Sequence, residues 1–303
     1  MDAFDPNLID RNVVAGAGMT DGAAHDQMLS RRYVGPPGGQ THLLEGGVAS
    51  GKASLWCLHA TAYSGRSFTP FLKLLAAHRR VVAPDTCGYG GSDWPDAPLD
   101  IQGYAQRVLK AVDQAGDTQV DLLGYHTGAL IAAELARMEP ERVRRLVLIG
   151  VPYLDKAEQP AWRVRLAAPM VLGESLNQFK ERWDFLVRER DPRISLERAF
   201  DNFVDELRAY PRGWQAHDAA FTFDVQACFA RVHQPTLILN PDNHLSAPSR
   251  RAAEALPNAR LVELPQLTNG IFDAAPGVLS AAAEAFLEED LDAASTVHIR
   301  AAR

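Results

Sequence analysis

The sequence predicts an α/β fold: a doubly wound, mostly parallel sheet with an inserted helical cap. Three observations carry this expectation. Short apolar runs, each bounded by turn residues, recur from residue 54 onward and read as strands buried on both faces. Segments with apolar residues at helical spacing alternate with them. The alternation lapses once, over residues 153–227, where tryptophans, phenylalanines and charges crowd together without a strand pattern.

Taken in order, residues 1–30 are rich in Ala, Gly and Asp without a period and read as a loosely ordered arm. Residues 32–34 and 41–44 flank a Pro-Gly-Gly turn and form a hairpin. Ser54–Leu58 is a buried strand that ends at His59. Phe68, Phe71, Leu72, Leu74 and Leu75 fall on one helix, and residues 80–84 form the next strand. A loop with glycines at 88, 90 and 91 follows. Ile101, Tyr104, Val108, Val112 and Ala115 mark an amphipathic helix stopped by Gly116. Residues 120–123 are a strand, and 129–138 a helix broken before Pro140. Strands at 145–149 and 236–239, a helix at 248–256, a strand at 260–264 and a helix at 276–287 complete the pattern. Residues 31–152 and 228–290 thus form the core. Residues 153–227 form the cap, and 291–303 a tail. Right-handed crossovers gather the loops after the strand C-termini on one edge, where open α/β sheets bind ligands.

Composition narrows the function classes. The 303 residues carry 31 basic and 38 acidic side chains, a net charge of −7, which argues against a nucleic-acid partner. The longest apolar stretch, residues 146–154, is far short of the ~20 residues of a membrane helix, so no membrane partner is expected. Cys57, Cys87 and Cys228 are odd in number and widely separated, with neither disulfide nor zinc spacing. A reducing, cytoplasmic location fits them, and the acidic opening residues lack the apolar core of a secretory leader. The glycine loop lacks both the phosphate-loop and the dinucleotide fingerprints, so no cofactor is expected. His126, His217 and His244 come from separate segments without a local ligand pattern, so no metal is expected either. The expected partner is a small hydrophobic molecule. A homodimer is left open.

The informative motif is Gly124-Tyr125-His126-Thr127-Gly128, between a strand and a helix. That is the setting of a nucleophile elbow, G-x-S-x-G, whose central side chain sits on a strained turn above the sheet. From residue 31 to 287 the chain resembles the α/β-hydrolase fold family with a helical cap. Leu58-His59-Ala60 is similar to that family's oxyanion-loop entry. Asp85, Gly88, Gly90 and Ser92 match its D-x-x-G-x-G-x-S loop. Residues 240–243 correspond to the loop of the catalytic acid, and 266–272 to the loop of the catalytic histidine.

The departures from that pattern shape the functional reading. His126 stands at the nucleophile position, Asn243 at the acid position with Asp242 beside it, and Asn269 at the histidine position. The resemblance is therefore to a bacterial hydrolase-like group with His-Thr-Gly at the elbow and a degenerate triad. The Ser–His–acid relay is absent as aligned. An imidazole needs no separate base at neutral pH. His126 is read first as a general base, and otherwise as a direct nucleophile or a ligand-binding group. Its ordinary pKa implies a rate that rises with pH through about 5.5 to 7.5. Asn269 would fix the imidazole tautomer or orient the ligand. The backbone N–H groups of Thr127 and of Ala60 or Thr61 would stabilise an oxyanion. Tyr125, Tyr63, Trp214 and His217 are candidate substrate contacts.

Three functions follow. The first is an enzyme acting on a small hydrophobic carbonyl compound by cyclisation, isomerisation, elimination or C–C cleavage. The second is a hydrolase of an activated ester or lactone with a rearranged relay through Asp242 or His244. The third is a non-catalytic binder of a small ligand.

Overall fold

The computed structural model describes residues 29–169 and 171–289. The expectations for the N-terminal arm up to residue 28 and for the tail at 291–303 lie outside the described residues. Eight strands form one sheet among these residues: β1 (Ser30–Val34), β2 (Thr41–Gly46), β3 (Ser54–Leu58), β4 (Val81–Pro84), β5 (Val120–Tyr125), β6 (Val143–Ile149), β7 (Thr236–Pro241) and β8 (Ala259–Leu264). Their spatial order is β1-β2-β4-β3-β5-β6-β7-β8. The hairpin strands β1 and β2 run antiparallel to their neighbours. From β4 to β8 every pairing is parallel. The sheet is therefore mixed but mostly parallel, as the sequence predicts.

Helices α1 (Thr69–Leu75), α2 (Ile101–Ala115), α3 (Thr127–Met138), α4 (Gln159–Leu166), α5 (Leu196–Leu207), α6 (Gln215–Thr222), α7 (Ser246–Ala255) and α8 (Pro276–Glu288) surround it. The strands alternate their side chains between two cores. Trp56 and Leu58 of β3 and Leu122 of β5 face the layer of α2 and α3. Leu55, Cys57 and Leu123 face the layer of α1 and α8. Helix α2 shows why its sequence is helical. Asp100 caps it by accepting from the Gly103 N–H at 2.7 Å, and Gly116 ends it at φ 84°. Its buried residues Ile101, Tyr104, Ala105, Val108 and Val112 keep the i, i+3, i+4 period. Leu74 departs from the sequence expectation. It lies in α1 but is 45% exposed, on the helix face turned away from the core.

Between β6 and β7 the described residues hold α4, α5, α6 and shorter helical turns, and no strand. This segment is seated on the core by buried polar contacts. Ser64 Oγ lies 2.7 and 2.9 Å from the two carboxylate oxygens of Asp205. Tyr89 donates to the Gly213 carbonyl at 3.1 Å and accepts from the Ala216 N–H at 3.0 Å. Arg198 pairs with Asp273 at 2.7 Å.

Candidate active site

The register places Gly124 of β5 beside Leu58 of β3 and Leu148 of β6, so β5 ends in the middle of the sheet. His126 follows at φ 51°, ψ −115°, the only non-glycine residue with positive φ among the described residues. Such a backbone is strained and persists where its surroundings impose it. Both flanking glycines are required. A Cβ on Gly124 would lie 2.4 Å from the Gly128 carbonyl, and one on Gly128 would lie 2.0 Å from the Leu58 carbonyl. Helix α3 can start this close to β3 and β5 only without those side chains.

The His126 imidazole stacks on the Tyr125 ring, with centroids 3.9 Å apart. Its Nε2 is buried and has no hydrogen-bond partner. Nδ1 is the ring nitrogen left accessible. No carboxylate accompanies the ring. Burial, together with His244 and His217, pushes its pKa down to about 3, so it is neutral at physiological pH.

Thr127 opens α3, and its backbone N–H has no acceptor among the described residues. The Thr61 N–H is likewise uncommitted. The Thr61 hydroxyl donates to the Thr127 hydroxyl at 2.9 Å and ties the two loops together. Ala60 is buried, and its carbonyl takes the Tyr63 N–H at 3.0 Å. His59 is a packed scaffold residue. Its Nδ1 donates to the Ala60 carbonyl at 2.9 Å, and its Nε2 accepts from the Thr86 N–H at 2.8 Å. The loop after β4 is scaffold too, since Asp85 accepts from Gly65 and Gly91 N–H groups, both at 2.7 Å.

The sequence-predicted residues divide into two groups. A cavity of about 760 Å³ between sheet edge and cap is lined by His126, Thr127, Tyr125, Thr61 and Tyr63. His217, His244 and Asn269 line it as well. The His244 ring lies 5.9 Å from that of His126, edge to face. His217 Nδ1 donates to the Leu166 carbonyl at 3.1 Å, its ring stacks on Phe221, and burial pushes its pKa down to about 4. Asp242, Asn243, Ala60 and Trp214 do not line the cavity. Asp242 is exposed. Asn243 is occupied in a local turn: its Oδ1 accepts from the Leu245 N–H at 2.8 Å. Trp162, not Trp214, is the cap tryptophan at the site, with its ring 5.4 Å from that of His244. The i, i+3, i+4 set Trp162, Arg165 and Leu166 on α4 would have marked it, since all three line the cavity.

The model for the alpha/beta hydrolase fold matches residues 54–265. The chain belongs to this family. Among curated proteins, polyketide synthase ThaQ of Burkholderia thailandensis is 26% identical over 276 residues, 86% of this chain. The chain spans only 13% of the length of ThaQ. A poly(3-hydroxyalkanoate) depolymerase of Ectopseudomonas oleovorans is 27% identical over 212 residues, covering 63% of this chain and 69% of that one. Among solved structures, a bacterial membrane phospholipase A superposes with a TM-score of 0.73 over 86% of both chains, at 23% identity. At that identity the likeness concerns the α/β-hydrolase fold alone. Among the described residues no helix is long and apolar enough to cross a membrane.

Proposed function

We propose that this α/β-hydrolase is an enzyme that hydrolyses an ester-type bond in a small hydrophobic compound, with His126 in place of the usual nucleophile. One observation carries the reading. An imidazole without any protein hydrogen bond stands on the elbow, beside two uncommitted backbone N–H groups, in the wall of the cavity. The likeness to a depolymerase supports hydrolysis over the cyclisation or isomerisation placed first from sequence. His244 supports a rearranged relay better than Asp242, because only His244 faces His126.

In this reading His126 Nδ1 takes a proton from a water molecule whose oxygen bonds to the substrate carbonyl carbon. The carbonyl oxygen becomes an oxyanion held by the Thr127 and Thr61 N–H groups. The C–O bond to the leaving group then breaks, and the imidazolium returns its proton to the departing alkoxide. A strongly depressed pKa makes His126 a weak base in the empty cavity. The developing oxyanion raises its proton affinity in the transition state, where stabilisation counts. His244 orients the water from the other side.

The test is hydrolysis of nitrophenyl butyrate by the wild type, His126→Ala and His244→Gln. Loss of His126 should cost 10²-fold or more, and loss of His244 about tenfold. Turnover that survives His126→Ala, or binding without turnover on any ester offered, would overturn the proposal.

A further inference from the structure

The guanidiniums that line the cavity are not evenly partnered. Arg182 is held by Glu206 through two contacts of 2.5 Å. Arg190 is taken up by the main-chain carbonyls of Val187 at 2.7 Å and Ile194 at 3.0 Å. Arg165 has no ion pair or hydrogen bond among the described residues, yet it lines the same cavity. Helix periodicity explains its aim. Trp162, Arg165 and Leu166 share one face of α4, while Arg163 turns away to Asp218 and Val164 is 80% exposed. Trp162 packs on His244, and the Leu166 carbonyl holds His217. Arg165 thus stands among the residues that touch both cavity-wall histidines.

Four acids line the cavity as well. Asp191 is paired with Arg193, and Asp273 with Arg198 and Asn202. Glu181 and Glu189 line the cavity without an ion pair among the described residues and, like Arg165, reach water. The charges that act on His126, His217 and His244 are those of one another, of Arg165 and of Arg182. No acid of the described residues is among the charges that act on the three imidazoles, and of the two arginines that do act on them Arg165 alone lacks an ion pair. Such a field opposes a cationic ligand and favours an anion, and a guanidinium fork matches a carboxylate through two parallel N–H···O bonds.

We infer that Arg165 anchors a carboxylate on the substrate, so that the cavity selects small apolar acids and presents their reacting carbonyl to His126. The second clause rests on the hydrolase reading; the anion site does not. Binding of phenylacetate and of its neutral isostere phenylacetamide, measured by calorimetry, separates the two. The wild type should bind the carboxylate about tenfold more tightly, a difference of about 1.4 kcal/mol. Arg165→Gln should abolish that preference. Arg165→Lys should keep part of it, since a point charge remains without the fork, and it stands in should the Gln variant fold poorly. His126→Ala should leave the preference intact. Equal binding of the two probes by the wild type, binding of neither at millimolar concentration, or a preference that survives Arg165→Gln overturns the anion site. A wild type that shows the preference but hydrolyses no ester keeps the anion site and defeats only the hydrolase reading.

Discussion

Gly150 makes room for His126. A Cβ at position 150 would fall 2.6 Å from Cδ2 and 2.8 Å from Nε2 of the imidazole, and Gly150 itself has φ 57°. The end of β6 therefore shapes the pocket into which the elbow side chain folds, and it seals Nε2 from water.

Gly150→Ala should displace the ring as well as strain the backbone. The positive φ alone is expected to cost ~1 kcal/mol or more of stability. Moving the imidazole away from the Thr127 and Thr61 N–H groups should lower kcat on a nitrophenyl ester about tenfold. Thermal unfolding and steady-state kinetics check both. Unchanged kcat in a destabilised variant would mean that the ring position does not matter to the reaction.

The pH profile should differ from that of an ordinary imidazole. His126 and His217 have pKa values pushed down to about 3 and about 4, and burial followed by the Arg165 charge lowers His244 as well. The active form is the neutral ring. Protonation of His126 therefore removes activity only in the acid range, and kcat/KM of His244→Gln, in which His126 is left to set the profile, should be flat from about pH 5 to about pH 8. The sequence alone led to a rise through about 5.5 to 7.5, because it shows the residue type and not its burial. An inflection in that window would place the His126 ring in water or beside an anion.

The fold was legible because its signals are local. Strand runs such as Ser54–Leu58 and the Asp100-to-Gly116 helix carry their own period and caps. The elbow was legible for the same reason, since Gly124, His126 and Gly128 report a single turn. What stayed hidden depends on facing. Asn243 and His244 are adjacent, and the turn closed by Asn243 sends only the second toward the cavity. Trp162 and Trp214 look alike in sequence, but the cap packs only Trp162 against His244. The charge asymmetry around Arg165 needs the partners of every other arginine, which no single segment contains.

Asn243 should matter to stability more than to catalysis. Its Oδ1 takes the Leu245 N–H at 2.8 Å, and its own N–H goes to Ser246 Oγ at 2.9 Å, just before α7. Asn243→Ala removes the first of these and should cost ~1 kcal/mol, as for the loss of a helix cap. Its kcat should change less than twofold, because Asn243 does not line the cavity. Denaturant unfolding paired with kinetics separates the effects. A large fall in kcat with unaltered stability would return Asn243 to the acid position of the relay.

The depressed histidines also tie stability to pH. In the unfolded chain an imidazole binds its proton near pH 6.5, whereas folded His126 stays neutral down to about 3. Between those values the unfolded state holds more protons than the folded one. The contribution of His126 is therefore fully present above about pH 6.5 and is lost as pH falls toward 3. Gln at position 126 has no proton to gain. The melting temperature of the wild type should fall relative to that of His126→Gln as pH drops from about 7 to about 4, and the two curves should run parallel above about pH 7. Scanning calorimetry across that range tests this directly. Curves that stay parallel down to about pH 4 would mean that the imidazole titrates alike in both states, and the neutral, unpartnered His126 on which the proposed chemistry depends would have to be abandoned.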